Sequence, residues 1–96
     1  MALKSAEFVI LAVLCDGGLH DSGIMQAVYR KTSGGLMLRS TSLYGILRGL
    51  ENRGLIQSTL KREVQPGATR GRTYYEITHL GREVVQAEAD VRAKGQ

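Results

Sequence analysis

The segment Thr41–Arg53, TSLYGILRGLENR, constrains this chain more than any other. Leu43, Ile46, Leu47 and Leu50 recur at helical spacing and predict one apolar stripe. At about 100° per residue, Thr41, Gly45, Arg48 and Asn52 fall on the opposite face. That face carries no bulky apolar group and no acid, and Tyr44 sits at its edge. Gly54 is expected to stop the helix, because glycine tolerates the left-handed C′ conformation. A short helix with a polar, slightly basic outer face suits a DNA major groove.

Two strand-like runs follow. Leu55 and Ile56 open the first, which is expected to run to about Val64. The second is expected over Arg72 to Ile77. Between them Pro66, Gly67 and Gly71 punctuate a turn. Alternation places Thr73, Tyr75 and Ile77 on one face of the second strand, with Ile77 inward, and Arg72, Tyr74 and Glu76 on the other. Helix, hairpin and basic loop in this order predict a winged helix-turn-helix. Its recognition helix would cover 40–53 and its wing 61–72. The N-cap of that helix is either Arg39 or Ser40, of which only Ser40 offers a capping oxygen.

Residues 3–15 form an expected first helix that is apolar nearly all round, and such helices are buried on more than one side. One side would pack on its own domain. The other, with Phe8 and Leu11, would pack on a second copy. Asp16-Gly17-Gly18 ends it. Asp21 is the expected N-cap of a second helix over about 22–32, which Gly34-Gly35 closes. Leu36, Met37 and Leu38 read as a short extended segment that pairs with the hairpin. Thr78 is expected to cap a last helix reaching Ala93. On it Leu80, Val84, Ala87 and Val91 repeat at intervals of about 3.5 residues, the narrow seam of a coiled coil. A seam at the end of a small domain needs a partner, and the simplest is the same helix of a second copy.

The fold class is therefore mainly α with a small β-hairpin. Residues 1–78 would form the winged helix-turn-helix, and 79–96 a C-terminal dimerisation helix in the same compact domain. At 96 residues and 43% hydrophobic content the chain suits one globular domain.

The formal net charge is +4, and its placement carries the argument. Residues 1–38 balance. Residues 39–75 hold Arg39, Arg48, Arg53, Lys61, Arg62, Arg70 and Arg72 against only Glu51 and Glu63. This is the electrostatic footprint of phosphate binding. Cys15 is the only cysteine, so no internal disulfide forms, and with two histidines no zinc site is expected. Cys15 reads as a small core residue, with redox sensing the lesser alternative. The apolar run Phe8–Cys15 is far shorter than the ~20 residues of a membrane span. It lacks the flanks of a signal peptide, so a cytoplasmic protein without membrane contact is expected. There is no nucleophile–base spacing, phosphate-cradling Gly motif or carboxylate cluster, so neither an enzyme nor a cofactor is expected.

Three strings extend the pattern: HDSGIMQAV, then SLYGILRGLENRGLI, which opens on Ser42-Leu43-Tyr44, and GRTYYEITHLGRE. In this order and spacing the chain resembles the PadR-like family of winged-helix transcriptional regulators, in its short single-domain class. The resemblance implies a homodimer whose wings and recognition helices read a pseudo-palindromic operator in double-stranded DNA. It also implies repression, often relieved by a small-molecule effector, here unknown. The chain departs from the family pattern at four places. Asp21-Ser22 replaces a usual Gly-Tyr, Thr73 a frequent Lys, Glu76 a basic residue, and His79 a frequent Pro at the first helical position.

The DNA-contact candidates follow. Arg39, Ser40, Thr41 and Ser42 lie at a helix start, where N–H groups and hydroxyls suit phosphate oxygens; plain capping is the simpler role. Gly45 and Arg48 line the outer face, and Arg48 could contact a guanine edge, contact a phosphate, or stay solvated. Tyr44 either packs or donates its hydroxyl to a phosphate, and the resemblance favours the second. Lys61, Arg62, Arg70, Arg72 and Tyr74 surround the hairpin turn. His20, at a helix entrance, reads as a local hydrogen-bonding residue, with DNA contact the second alternative and a metal ligand the third, and His79 reads as a surface helix-start residue. The alternative to a DNA-binding repressor is a winged-helix module that binds a protein without specific DNA binding.

Overall fold

The computed structural model describes residues 3–62 and 71–94, the Arg62 side chain excepted. In chain order these form α1 (Ser5–Leu14), β1 (Leu19–His20), α2 (Asp21–Lys31), α3 (Ser40–Asn52), β2 (Ile56–Arg62), β3 (Gly71–Ile77) and α4 (His79–Lys94). The strands make one antiparallel sheet in the order β1-β3-β2. This is the mainly helical winged helix-turn-helix that the sequence predicts.

The core explains the helical stripes. Ile10, Leu11 and Leu14 of α1, Ile24 and Val28 of α2, and Leu43, Leu47 and Leu50 of α3 are all buried. Leu55, Ile56 and Ile77 close the core from the sheet side. Leu11 is 0% exposed within its own chain, so it has no surface to give to a second copy. The expectation that Leu11 faces a partner is corrected: all of it is spent on this core. Phe8 is half-buried, and the Arg92 guanidinium of α4 lies 4.4 Å from its ring centroid.

Two expectations about α2 and the sheet also change. The N-cap of α2 is His20, and Asp21 is the first helical residue. Its carboxylate still suits the positive end of the helix, with Oδ1 accepting the Ser22 N–H at 2.7 Å. The third strand is Leu19–His20, not Leu36–Leu38. Leu19 pairs with Tyr75 and His20 with Tyr74. Local bonds explain the difference. After α2 the chain turns through Ser33 and Gly34, both at positive φ, and the Leu36 N–H is taken by Thr32 Oγ1 at 3.0 Å. Met37 is then 75% exposed.

The end of α3 matches the Gly54 expectation. Gly54 lies at φ +73°; its N–H reaches the Glu51 carbonyl, and the Leu55 N–H reaches that of Leu50. This is a Schellman motif, with Leu50 and Leu55 buried as its apolar contact. It turns the chain into β2, whose register with β3 runs from Ile56↔Ile77 to Arg62↔Gly71. Arg53, the C-cap, pairs with Glu7 of α1 at 3.1 Å, so this cation braces the fold.

Thr78 caps α4 as expected, its Oγ1 accepting the Gly81 N–H at 3.0 Å. Gly81 is buried, and a Cβ there would lie 2.2 Å from the Leu55 carbonyl oxygen. The helix therefore presses directly on the chain that leaves α3. The Leu3 N–H donates to Glu88 at 2.9 Å and pins the amino-terminal segment to α4. No helix among the described residues is long and apolar enough to cross a membrane.

Candidate nucleic-acid interface

The stripe that buries Leu43, Leu47 and Leu50 turns Thr41, Gly45, Arg48 and Asn52 outward, and all four are exposed. A Cβ at Gly45 would meet nothing within 4 Å. Arg39 is the N-cap of α3, which settles the choice between it and Ser40, yet α3 has no side-chain cap bond. Arg39, Ser40, Thr41 and Ser42 are all exposed. The helix therefore presents an uncapped, hydroxyl-rich first turn at its positive end, beside a basic outer face.

Tyr44 flanks this face and is 47% exposed. Its hydroxyl donates to Asp21 Oδ2, so the second turn of α3 is tied to the start of α2. The phenol beside Asp21 is the main reason that its carboxyl sits below the usual carboxylate range. Partial burial opposes this, while the Ser22 N–H, His20 and Arg72 assist it. The same hydrogen bond, with the carboxylate charge behind it, pushes the Tyr44 phenol up. Tyr75, half-buried behind them, is raised chiefly by burial, then by Glu51 and Asp21.

The sheet adds a second group. Antiparallel pairing puts His20 opposite Tyr74 and Lys61 opposite Arg72. Arg72 Nη1 lies 3.0 Å from His20 Nε2, and the His20 and Tyr74 rings are 5.5 Å apart between centroids. Lys61 Nζ stands 5.2 Å from the Tyr74 centroid and 3.8 Å from Glu76 Oε1. A pocket of about 290 Å³ opens between the two groups, lined by His20, Asp21, Ser22, Tyr44, Arg72, Thr73 and Tyr75.

The structure thus brings together Tyr44, Arg72 and Tyr74, with Lys61 beside Tyr74. Gly45 and Arg48 lie on the exposed face of α3. Arg70 and the Arg62 side chain lie outside the described residues. Sequence reasoning missed Asp21 as a member of this cluster and held DNA contact only as the second reading of His20. Tyr44 and Asp21 are 23 positions apart. Only the crossing of α2 and α3 joins them, which periodicity within one helix does not report.

On α4, Leu80 is 48% and Val91 63% exposed, Ala87 is exposed, and Val84 is half-buried against the core. Gly81, Val84 and Val85 meet the chain's own domain, so the helix carries two adjoining apolar faces. Cys15 is half-buried beside the core. Among the described residues no three His, Cys, Asp or Glu side chains group as metal ligands.

The family model described as the transcriptional regulator PadR-like family matches residues 10–87. A transcriptional regulator from Clostridium thermocellum has a similar structure, with TM-score 0.79 at 27% identity over 93% of this chain and 83% of that one. A PadR family transcription regulator from Clostridium difficile gives 0.76 at 20% identity, over 91% and 85%. A PadR-like transcription factor from Bacteroides fragilis gives 0.74 at 23%, over 93% and 82%. The last two likenesses concern the fold alone. No curated protein matches the sequence at a significant level.

Proposed function

Because this chain belongs to the PadR-like family of transcriptional regulators, DNA-binding proteins and not enzymes, we propose that it is a homodimeric repressor reading a pseudo-palindromic operator. The observation that carries this reading is the exposed face of α3. Thr41, Gly45 and Arg48 point outward from an uncapped helix start, with nothing of the chain's own within 4 Å of a Cβ at Gly45. In this reading α3 enters the major groove and Arg48 contacts a base edge. Arg39, Ser40, Thr41 and Ser42 meet phosphates beside it, and the basic hairpin from Lys61 to Arg72 follows the backbone. The half-exposed seam Leu80, Val84, Ala87, Val91 on residues 79–96 supplies the twofold contact, flanked by Phe8. Leu11 takes no part.

Duplex binding measured across a salt series tests the reading. A protein that neutralises several phosphates shows a steep negative log–log slope. Arg48→Ala should lose about 1–3 kcal/mol on the operator and relax its preference at one base pair. Salt-insensitive binding, or an Arg48→Ala protein with the parent's sequence preference, would instead favour a protein-binding winged helix.

A further inference from the structure

An acid stands in the pocket between Tyr44, at the edge of the α3 face proposed above to meet DNA, and Arg72 of the sheet. Asp21 is held there by specific bonds. Its Oδ2 accepts the Tyr44 hydroxyl, and its Oδ1 accepts the Ser22 N–H at 2.7 Å. A phenol and a backbone amide thus donate to this carboxylate, as they would to any oxyanion. His20 and Arg72 line the same pocket from β1 and β3, their imidazole and guanidinium 3.0 Å from each other. The 290 Å³ pocket opens over them, and Ser22 and Thr73 add hydroxyls to its lining.

We propose that Asp21 is a built-in competitor for a backbone phosphate, its carboxylate occupying an anion site made by the Tyr44 hydroxyl and the Ser22 N–H, in a pocket that His20 and Arg72 also line, from which DNA must displace it. The inference rests on the DNA-reading function proposed above and adds a control on affinity at the same surface. A phosphodiester carries one negative charge and two acceptor oxygens, the same chemistry as the carboxylate, so the two anions compete for one set of donors. Tyr44 has a single hydroxyl proton, and while Asp21 holds it the phenol offers a phosphate only a lone pair. When a phosphate arrives, the Asp21 side chain rotates aside and the Tyr44 hydroxyl turns to the phosphate oxygen. Since every duplex presents the same phosphates, the competition weakens binding to all sequences alike. Base contacts from α3 then decide which sites are occupied.

The test is fluorescence anisotropy with the full chain and a labelled random-sequence duplex, between about 50 and 200 mM salt. Asp21→Asn should bind about tenfold tighter at the low end and about threefold tighter at the high end. That corresponds to a log–log slope steeper by about 0.9, one further phosphate contact. Asp21→Gly, which leaves no acceptor for the phenol, should show the same gain. Adding Tyr44→Phe to Asp21→Asn should remove most of it. Asp90→Asn, an exposed acid removed from α4, should leave the slope unchanged. The inference is overturned if Asp21→Asn binds no tighter, gains affinity with an unchanged slope, or keeps its gain without the Tyr44 hydroxyl. If the parent binds and only the predicted gain fails, the DNA-reading function stands and the competitor does not. If neither parent nor variant binds any duplex, both fall.

Discussion

Thr78 and Gly54 are joined by a 2.6 Å hydrogen bond from hydroxyl to carbonyl. The same hydroxyl accepts the Gly81 N–H, and the Thr78 N–H donates to the Leu55 carbonyl at 3.0 Å. One side chain thus couples the glycine that ends α3 to the first turn of α4. Thr78→Val keeps the shape and removes the hydroxyl. It should cost about 1–2 kcal/mol, the range for a lost N-cap with a second hydrogen bond broken. Thr78→Ser should retain most of the stability. Urea unfolding of the three proteins checks this, and a Val variant as stable as the parent would remove the junction's role.

Gly45 gives a prediction in which stability and binding move in opposite directions. Glycine inside a helix costs roughly 0.5–1 kcal/mol relative to alanine. Nothing within 4 Å of a built Cβ explains its presence in the folded chain. Gly45→Ala should therefore raise the unfolding free energy by about that amount. If α3 lies close to DNA, the same methyl group should weaken duplex binding. A variant that is both more stable and equally tight would show that DNA does not approach this position.

Much of this architecture was legible in the sequence because it is written locally. The stripe through Leu43, Leu47 and Leu50, the stop at Gly54 and the cap at Thr78 each need only near neighbours, and each stands where expected. The errors arose where distant segments decide. The third strand is Leu19–His20, because pairing with Tyr75 and Tyr74 depends on how α1 delivers the chain to β3. Leu36–Leu38 looked extended by composition, but Thr32 binds its backbone. Leu11 looked available for a partner because α1 is apolar all round. Periodicity cannot say which of several apolar sides its own domain consumes. Asp21 read as a cap, and the crossing of α2 with α3 gave it Tyr44 instead.

The Asp21–Tyr44 bond has a defined pH window. Asp21 has a folded pKa below its unfolded one. Its contribution to stability is present above the unfolded value, about 3.9, and is lost as pH falls through the lowered folded value. Tyr44 has a folded pKa above its unfolded one. Its contribution is present below about 10 and is lost as pH rises through the raised value. Asp21→Asn should flatten the acid side of the stability profile, and Tyr44→Phe the alkaline side. Thermal unfolding at fixed ionic strength from acid to alkaline pH reads both. Unchanged profiles in both variants would mean that the pair is not formed in solution.

Footprinting on the operator, combined with stoichiometry, decides whether two copies of this chain read a pseudo-palindrome through paired α3 helices, as proposed. Two protected half-sites related by a dyad, with two chains per duplex, are expected. Their centres should lie about 10 or 20 bp apart, one or two turns of DNA, which places both α3 helices on one face of the duplex. A single asymmetric half-site bound by one chain would contradict the proposal.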